Sequence, residues 1–130
     1  MIIDSSALLA ILHLEPEAER FARAISLDQS RFISAANWLE TSIVISLRVG
    51  EEGLHDFDLL TSKLKIETVP VTSKQAEIAR WAFLHYGKGI HPARLNFGDC
   101  FAYALSKEMG QPILFKGEDF GKTDLLFVSY

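Results

Sequence analysis

The sequence predicts an α/β fold in three layers, a mainly parallel central sheet flanked by helices. Short runs of strand composition recur along the chain at Ile2-Ile3, Arg31 to Ser34, Ile66 to Val71, Ile113 to Phe115 and Leu125 to Val128. Between most of them lie stretches with helical spacing of apolar residues and recognisable caps, the alternation that makes parallel strands with right-handed crossovers. The length of 130 residues, with 48% hydrophobic and 23% charged residues, suits one core, so residues 1–130 are expected to form a single domain.

Taken in order, Ile2-Ile3 is a β-branched run that stops at Asp4, and Ser5 or Ser6 offers an N-cap for a helix over Ala7 to Leu14. Glu15-Pro16-Glu17 reads as a fresh helix start, because proline and acids favour the first turn, and that helix runs to about Leu27. After the strand Arg31 to Ser34, a helix over Ala35 to Val49 stops at Gly50, and a further one covers Leu54 to Leu64. Ile66 to Val71 alternates like a strand, and Thr72 or Ser73 caps a helix that carries Ala76, Ala79, Trp81 and Phe83. The segment Gly87-Lys88-Gly89-Ile90-His91-Pro92 is the clearest loop, followed by a helix from Asn96 to Met109 that ends before Gly110.

Composition removes several function classes. Cys100 is the only cysteine, so no intrachain disulfide forms, and the N-terminus has neither the basic start nor the apolar run of a signal peptide. No segment has the length of a membrane span, and a cytoplasmic location is the expectation. A formal net charge of -4 argues against gripping nucleic acid by bulk electrostatics, so any nucleic-acid site must be local.

Ligand sites in open α/β sheets form beyond the carboxyl ends of the strands, which draws attention to Asp4, directly after the first strand, and Asp119, four residues after Phe115. Glu40 shares a helix face with Ala36, Ile43, Val44 and Leu47, and an acid in an apolar stripe must be protonated, paired or aimed at a cation. Asp99 falls in the first turn of its helix, where an acid also serves simply as a partner of the positive helix end. Four acids from four segments can be assigned to one end of one sheet, and their repulsion calls for a hard cation such as magnesium or manganese. Such a centre suits phosphodiester hydrolysis without a side-chain nucleophile. Lys88, His91, Arg94, Lys116 and Lys122 flank the expected mouth as candidate phosphate contacts, with solvated loop charge as the plainer reading of each.

Other signals carry less. Gly121-Lys122-Thr123 ends like a nucleotide-binding loop, but Lys116 stands where that motif needs its first glycine. Ser5 and Ser6 lie in no nucleophile elbow, and the four histidines have no close metal spacing.

The start MIIDSSALLAIL, the central NWLETSIV, the stretch YGKGIHPARLNFGDCFAYALSK and the late QPILFKGEDFGKTD together resemble the PIN-domain VapC toxins over nearly the whole chain. The resemblance implies a PIN-like domain and an endoribonuclease with a magnesium-dependent acidic centre, neutralised by a cognate VapB-like antitoxin. It places the site on Asp4, Glu40, Asp99 and Asp119, with Asp4 and Asp99 as the direct ligands of Mg2+, or Mn2+ in its place, and it implies a homodimer. One departure concerns the last motif, where Gly117 stands three residues before Phe120 at a position acidic in many members. Asp119 is preferred to Glu118 because it directly precedes Phe120. Two readings from other classes compete: a binding module that keeps the acidic pocket without turnover, and a phosphotransfer domain of flavodoxin-like topology. The second needs an acceptor aspartate after an internal strand, where this chain has Thr72-Ser73 after Val71.

Overall fold

The computed structural model describes residues 1–130. Four parallel strands form one sheet: β1 (Ile2–Ile3), β2 (Phe32–Ser34), β3 (Glu67–Val69) and β4 (Ile113–Leu114). Six helices cover it: α1 (Ser5–Leu12), α2 (Ala18–Leu27), α3 (Ala35–Arg48), α4 (Glu51–Lys63), α5 (Ser73–Tyr86) and α6 (Phe97–Met109). Ile2 pairs with Phe32 on one side and Ile113 on the other, and Ile3 pairs with Leu114.

Successive strand residues point to opposite faces, and the two halves of the core follow this alternation. Ile2 and Ile113 join Ala102, Tyr103 and Leu105 of α6 and Ala79 and Ala82 of α5, whereas Ile3, Ile33 and Leu114 join Leu8, Phe21, Ile45 and Phe57 from α1 to α4. The sheet is thus a middle layer with α5 and α6 on one face and α1 to α4 on the other. β3 is an edge whose residues are largely exposed, which explains why it is shorter than the run Ile66 to Val71. Leu125 to Val128 adds no full strand; it makes a single parallel bridge through Phe127 to Ile113.

The strand order β3-β2-β1-β4 fixes where a site can form. The chain proceeds outward from β1 through β2 to β3, then returns to the other side of β1 to lay down β4. Helices on opposite faces diverge at such a reversal, and a crevice opens beyond the carboxyl ends of β1 and β4. α6 delivers the chain to β4 and ends at Gly110, whose left-handed backbone (φ 62°) closes the helix.

Candidate active site

Asp4 leaves β1 at this reversal and caps α1 itself. Its Oδ2 accepts from the Ser6 backbone N–H at 2.9 Å and from the Ser6 hydroxyl at 2.6 Å. The sequence reading put the cap on Ser5 or Ser6; the helix begins at Ser5, so the half-in position falls on the aspartate. Ser6 Oγ also accepts from the Lys116 backbone N–H at 2.9 Å, which fastens the chain beyond β4 to the carboxylate beyond β1. Asp4 Oδ1 is buried and receives no hydrogen bond. Burial pushes the Asp4 carboxyl above its ordinary value, the Ser6 bonds oppose this, and the charge of Glu40 adds to the rise.

Glu40 reaches the same crevice from α3, by a route other than the expected one. The buried face of α3 is Asn37, Thr41 and Ile45, while the stripe that includes Ile43 and Leu47 is open to solvent at 49% and 82% exposure. Glu40 is therefore a half-exposed acid at the edge of a stripe that lies on the surface. What positions it is the N-terminal turn of α6. Gly98 lies against the Glu40 carboxylate so closely that a Cβ there would overlap Oε2 and come within 2.6 Å of Cδ. Asn37 locks the same approach, its Nδ2 donating to the Gly98 carbonyl at 3.0 Å while its own carbonyl accepts from the Ser5 hydroxyl at 3.2 Å.

Asp99 sits at the third position of α6 in a reciprocal cap. Its backbone N–H donates to Asn96 Oδ1 at 2.9 Å, and the Asn96 backbone N–H donates to Asp99 Oδ2 at 2.9 Å. Burial, then the charge of Asp4, with further contributions from Glu40 and Asp119, push the Asp99 carboxyl up to about 7 against the lowering effect of the Asn96 N–H. All three other predicted acids therefore act on this one carboxyl. Asp119 stands at the exposed rim, immediately before a single 3₁₀ turn (Phe120–Lys122) whose Phe120 is buried against Phe115 at 5.2 Å between ring centroids. The neighbouring Glu118 has a side chain 86% exposed and pairs with Lys122 at 3.6 Å.

The cations expected around the mouth divide in two. Lys116 is held by Glu15 and Glu17 and Lys122 by Glu118, so neither is free for phosphate, whereas Lys88 and Arg94 enter no ion pair. Cys100 is buried beside Asp99, and its thiol is pushed up to about 11 by burial and that neighbouring charge, which leaves it unreactive.

No three acidic, histidine or cysteine side chains draw together tightly enough to enclose an ion by themselves. A looser two-carboxylate hold is what a magnesium ion uses, since it keeps several of its waters. The buried Asp4 Oδ1 without a donor, and Asp99, whose Oδ1 takes no protein hydrogen bond, suit that role. A buried acceptor left without a donor is costly unless a proton or cation meets it.

The family model described as PIN domain matches residues 1–126. Ribonuclease VapC30 of Mycobacterium tuberculosis is 50% identical over 129 residues, covering 99% of this chain and 98% of its own. Ribonuclease VapC of Mycolicibacterium smegmatis is 51% identical over 128 residues, covering 98% of this chain and 99% of its own. The chain belongs to the PIN-domain family of VapC ribonucleases. Among solved structures, M. tuberculosis VapC20, described as a Sarcin-Ricin loop cleaving toxin, superposes with a TM-score of 0.77 at 16% identity over 98% of this chain and 97% of its own. A toxin-antitoxin complex from Klebsiella pneumoniae superposes at 0.71 and 17% identity over 99% and 97%. These last two establish the shared PIN fold.

Three residues that shape this PIN-domain crevice were not picked out for that role in the sequence: Ser6, there read as a cap, Asn37 and Gly98. Gly98 alone left a local trace, because glycine in the first turn of a helix forgoes about 1 kcal/mol relative to alanine and so hints at a close approach. A fourth contact steadies the Asp119 segment further on: the buried Tyr103 hydroxyl donates to Asp124 Oδ1 at 2.7 Å, and Lys107 Nζ donates to Asp124 Oδ2 at 2.6 Å.

The elevated Asp99 carboxyl makes stability depend on pH. An aspartate titrates near 3.8 in the unfolded chain, and Asp99 near 7 in the metal-free fold. Between these values the folded state holds the extra proton, so the contribution of Asp99 is fullest below about pH 4 and is lost as pH rises through about 7. Calorimetry is expected to find the metal-free protein melting several degrees higher at pH 5 than at pH 8. At pH 8 a divalent ion at a hundredfold excess over its dissociation constant should restore about 2.7 kcal/mol. A melting temperature indifferent to both pH and metal would mean that the four carboxylates do not act on one another.

Proposed function

We propose that this VapC-family protein is the toxin of a type II toxin–antitoxin pair, an endoribonuclease that hydrolyses RNA phosphodiester bonds at a divalent-cation centre. Asp4, Glu40, Asp99 and Asp119 are its catalytic residues. The observation that carries this reading is the buried Asp4 Oδ1 that meets no donor at the sheet's reversal point, beside which burial and the surrounding acids push the Asp99 carboxyl up. Such self-repulsion has a use where a cation is recruited and an anionic substrate follows it.

Asp4 and Asp99 would hold Mg2+, with Mn2+ as a substitute. When bound, the ion supplies positive charge against the phosphorus oxygens and lowers the pKa of an attacking water. Glu40, held in place by Gly98, and Asp119, at the open rim, complete the shell or orient that water by accepting its hydrogen bonds. Ser6 and Asn96 keep the two ligand carboxylates in fixed rotamers, so little reorganisation is needed when substrate arrives. Without the cation the same four charges repel a phosphodiester, which makes cleavage strictly conditional on metal.

The partners follow from the chemistry of two surfaces. The acidic mouth suits an arginine of a cognate VapB-like antitoxin, whose planar fork pairs with carboxylates and excludes the ion. A structured RNA, such as a tRNA or ribosomal RNA loop, is the substrate class. An apolar groove of about 630 Å³ lies between α3 and α6, lined by Ala36, Leu39, Ile43, Phe97 and Phe101, with Phe97 80% exposed. Exposed apolar area of this kind supports a homodimer through α3 and α6. No helix is long and apolar enough to cross a membrane, and the cytoplasm is the proposed location.

The direct test incubates the purified protein with total RNA in Mg2+, in Mn2+ and in chelator, and maps the new ends. Cleavage at defined sites that disappears in chelator and returns on adding metal is expected. Intact RNA under all three conditions, from protein freed of antitoxin, would overturn the ribonuclease reading.

A further inference from the structure

From Ile78 to Gly98 the chain contains no Asp or Glu, although the protein as a whole carries a net charge of -4. Within that stretch residues 87–95 form a loop closed at its neck. Gly87 and Leu95 make a parallel bridge, the Lys88 N–H donates to the Leu95 carbonyl at 2.9 Å, and the Leu95 N–H donates to the Tyr86 carbonyl at 2.9 Å. Inside it, the Ile90 and His91 N–H groups both donate to the Gly87 carbonyl, and the Arg94 N–H donates to the His91 carbonyl. Ala93 and Leu95 are buried in the core beside α6. Compact loops with closed ends and buried anchors have their backbone ordered before binding, which leaves only side-chain ordering to oppose it.

What this loop presents is cationic. Lys88, Ile90, Pro92 and Arg94 are exposed, and with His91 they line one depression of about 510 Å³. Arg94 holds a left-handed backbone (φ 54°), a conformation that costs a non-glycine residue energy and persists because the loop's hydrogen bonds and the buried residues on either side fix it. The His91 Nδ1 accepts from the Ala93 N–H at 3.0 Å, which leaves Nε2 as the ring's donor.

The loop's position ties it to the acidic centre. Lys88 is hydrogen-bonded to Leu95 and Arg94 precedes it, so both cations flank the residue before Asn96, the cap of Asp99. Across two peptide units the Arg94 and Asn96 Cα atoms are separated by at most about 7.6 Å. Both side chains are long enough to reach a phosphate next to one seated at Asp99.

We propose that the 87–95 loop is the RNA-backbone dock of this protein, with Lys88 and Arg94 each binding one phosphate of the strand that enters the acidic centre. This rests on the ribonuclease reading and adds where the substrate is held. Lys88 and Arg94 are positioning residues; they take no part in bond cleavage. The division of labour resolves the charge conflict of an acidic nuclease. The loop holds the polymer beside a pocket that repels it, and the cation then draws in one phosphate.

The test measures binding of a fluorescein-labelled single-stranded RNA by anisotropy in chelator, so that nothing is cleaved, across a salt series. Wild type, Lys88→Ala, Arg94→Gln and the double variant are compared, and their melting temperatures report on folding. One lost contact removes about 0.7 from the slope of log K against log salt, which is about a fivefold weaker complex at 0.1 M salt. The double variant should lose about 1.4 in slope and bind roughly 25-fold more weakly. In Mg2+ the variants should show a raised KM with kcat retained. Folded variants with wild-type affinity and slope overturn the dock, and so does a loss confined to binding of the antitoxin, which would assign the loop to that partner. Wild-type cleavage of the same RNA in Mg2+, run in parallel, reports separately on the ribonuclease reading.

Discussion

Replacing Asp99 by asparagine is expected to reduce RNA cleavage by on the order of 100-fold or more while leaving the fold intact. Losing about 3 kcal/mol of cation-mediated stabilisation at the transition state is roughly two decades in rate. The fold survives because an asparagine oxygen still accepts the Asn96 N–H that closes the reciprocal cap. The substitution also removes the carboxyl that burial and three neighbouring acids push up to about 7. Metal-free Asp99→Asn should therefore melt higher than wild type at pH 8, where wild-type Asp99 is forced to ionise, by a smaller margin at pH 5, and nearly equal to it only below about pH 4, where the group is protonated in both states. This two-part signature separates a ligand from a scaffold residue. A variant less stable than wild type at pH 8, or one that cuts RNA at the wild-type rate, would take Asp99 out of the centre.

Gly98→Ala carries the second large effect, and its logic is steric. The added methyl would occupy the space of the Glu40 carboxylate, and the obstacle is the end of a flexible side chain, so the chain still folds and Glu40 swings out. Displacing a catalytic group by about 1 Å can cost on the order of 100-fold in rate, and kcat is expected to fall by that order with RNA affinity in chelator unchanged. Pairing the change with Glu40→Asp, which withdraws the carboxylate by one methylene, should recover part of the loss relative to the sum of the two single changes. Full activity in Gly98→Ala would mean that the position of Glu40 is not critical. An unfolded variant would instead locate the constraint in the backbone contact from Asn37, which Asn37→Ala then tests through its melting temperature.

The residues differ in how legible they were. Asp4 and Asp119 drew attention from local pattern, because both follow strands at the carboxyl edge of the sheet, where ligand sites form in open α/β folds. The cap around Asp99 was also local, since Asn96 and Asp99 stand three apart and satisfy each other. Glu40 drew attention as an acid within an apolar stripe of its helix, and that stripe lies on the surface. α3 has apolar residues on two faces and polar Asn37 and Thr41 on its buried one, so helical periodicity chose the wrong stripe. Ser6 and Gly98 act through partners about 110 and 58 positions away, Lys116 and Glu40, and no window along the sequence contains such pairs. The strand expected at Leu125 to Val128 fell short because only Phe127 finds a partner, at Ile113.

The placement of β4 beside β1 has a consequence in time as well as in space. The first strand of the chain waits for the last: Asp4 N–H donates to the Leu114 carbonyl, and Ser6 receives the Lys116 N–H. A growing polypeptide folds from its beginning as it is made, yet this one cannot assemble its four acids until the segment carrying Asp119 has been synthesised and has docked. On the proposed reading, a partly made copy has Asp4 and Glu40 in hand and no catalyst. For a protein whose activity would harm the cell that makes it, the interval before the last turn closes is one in which an antitoxin already present can be waiting.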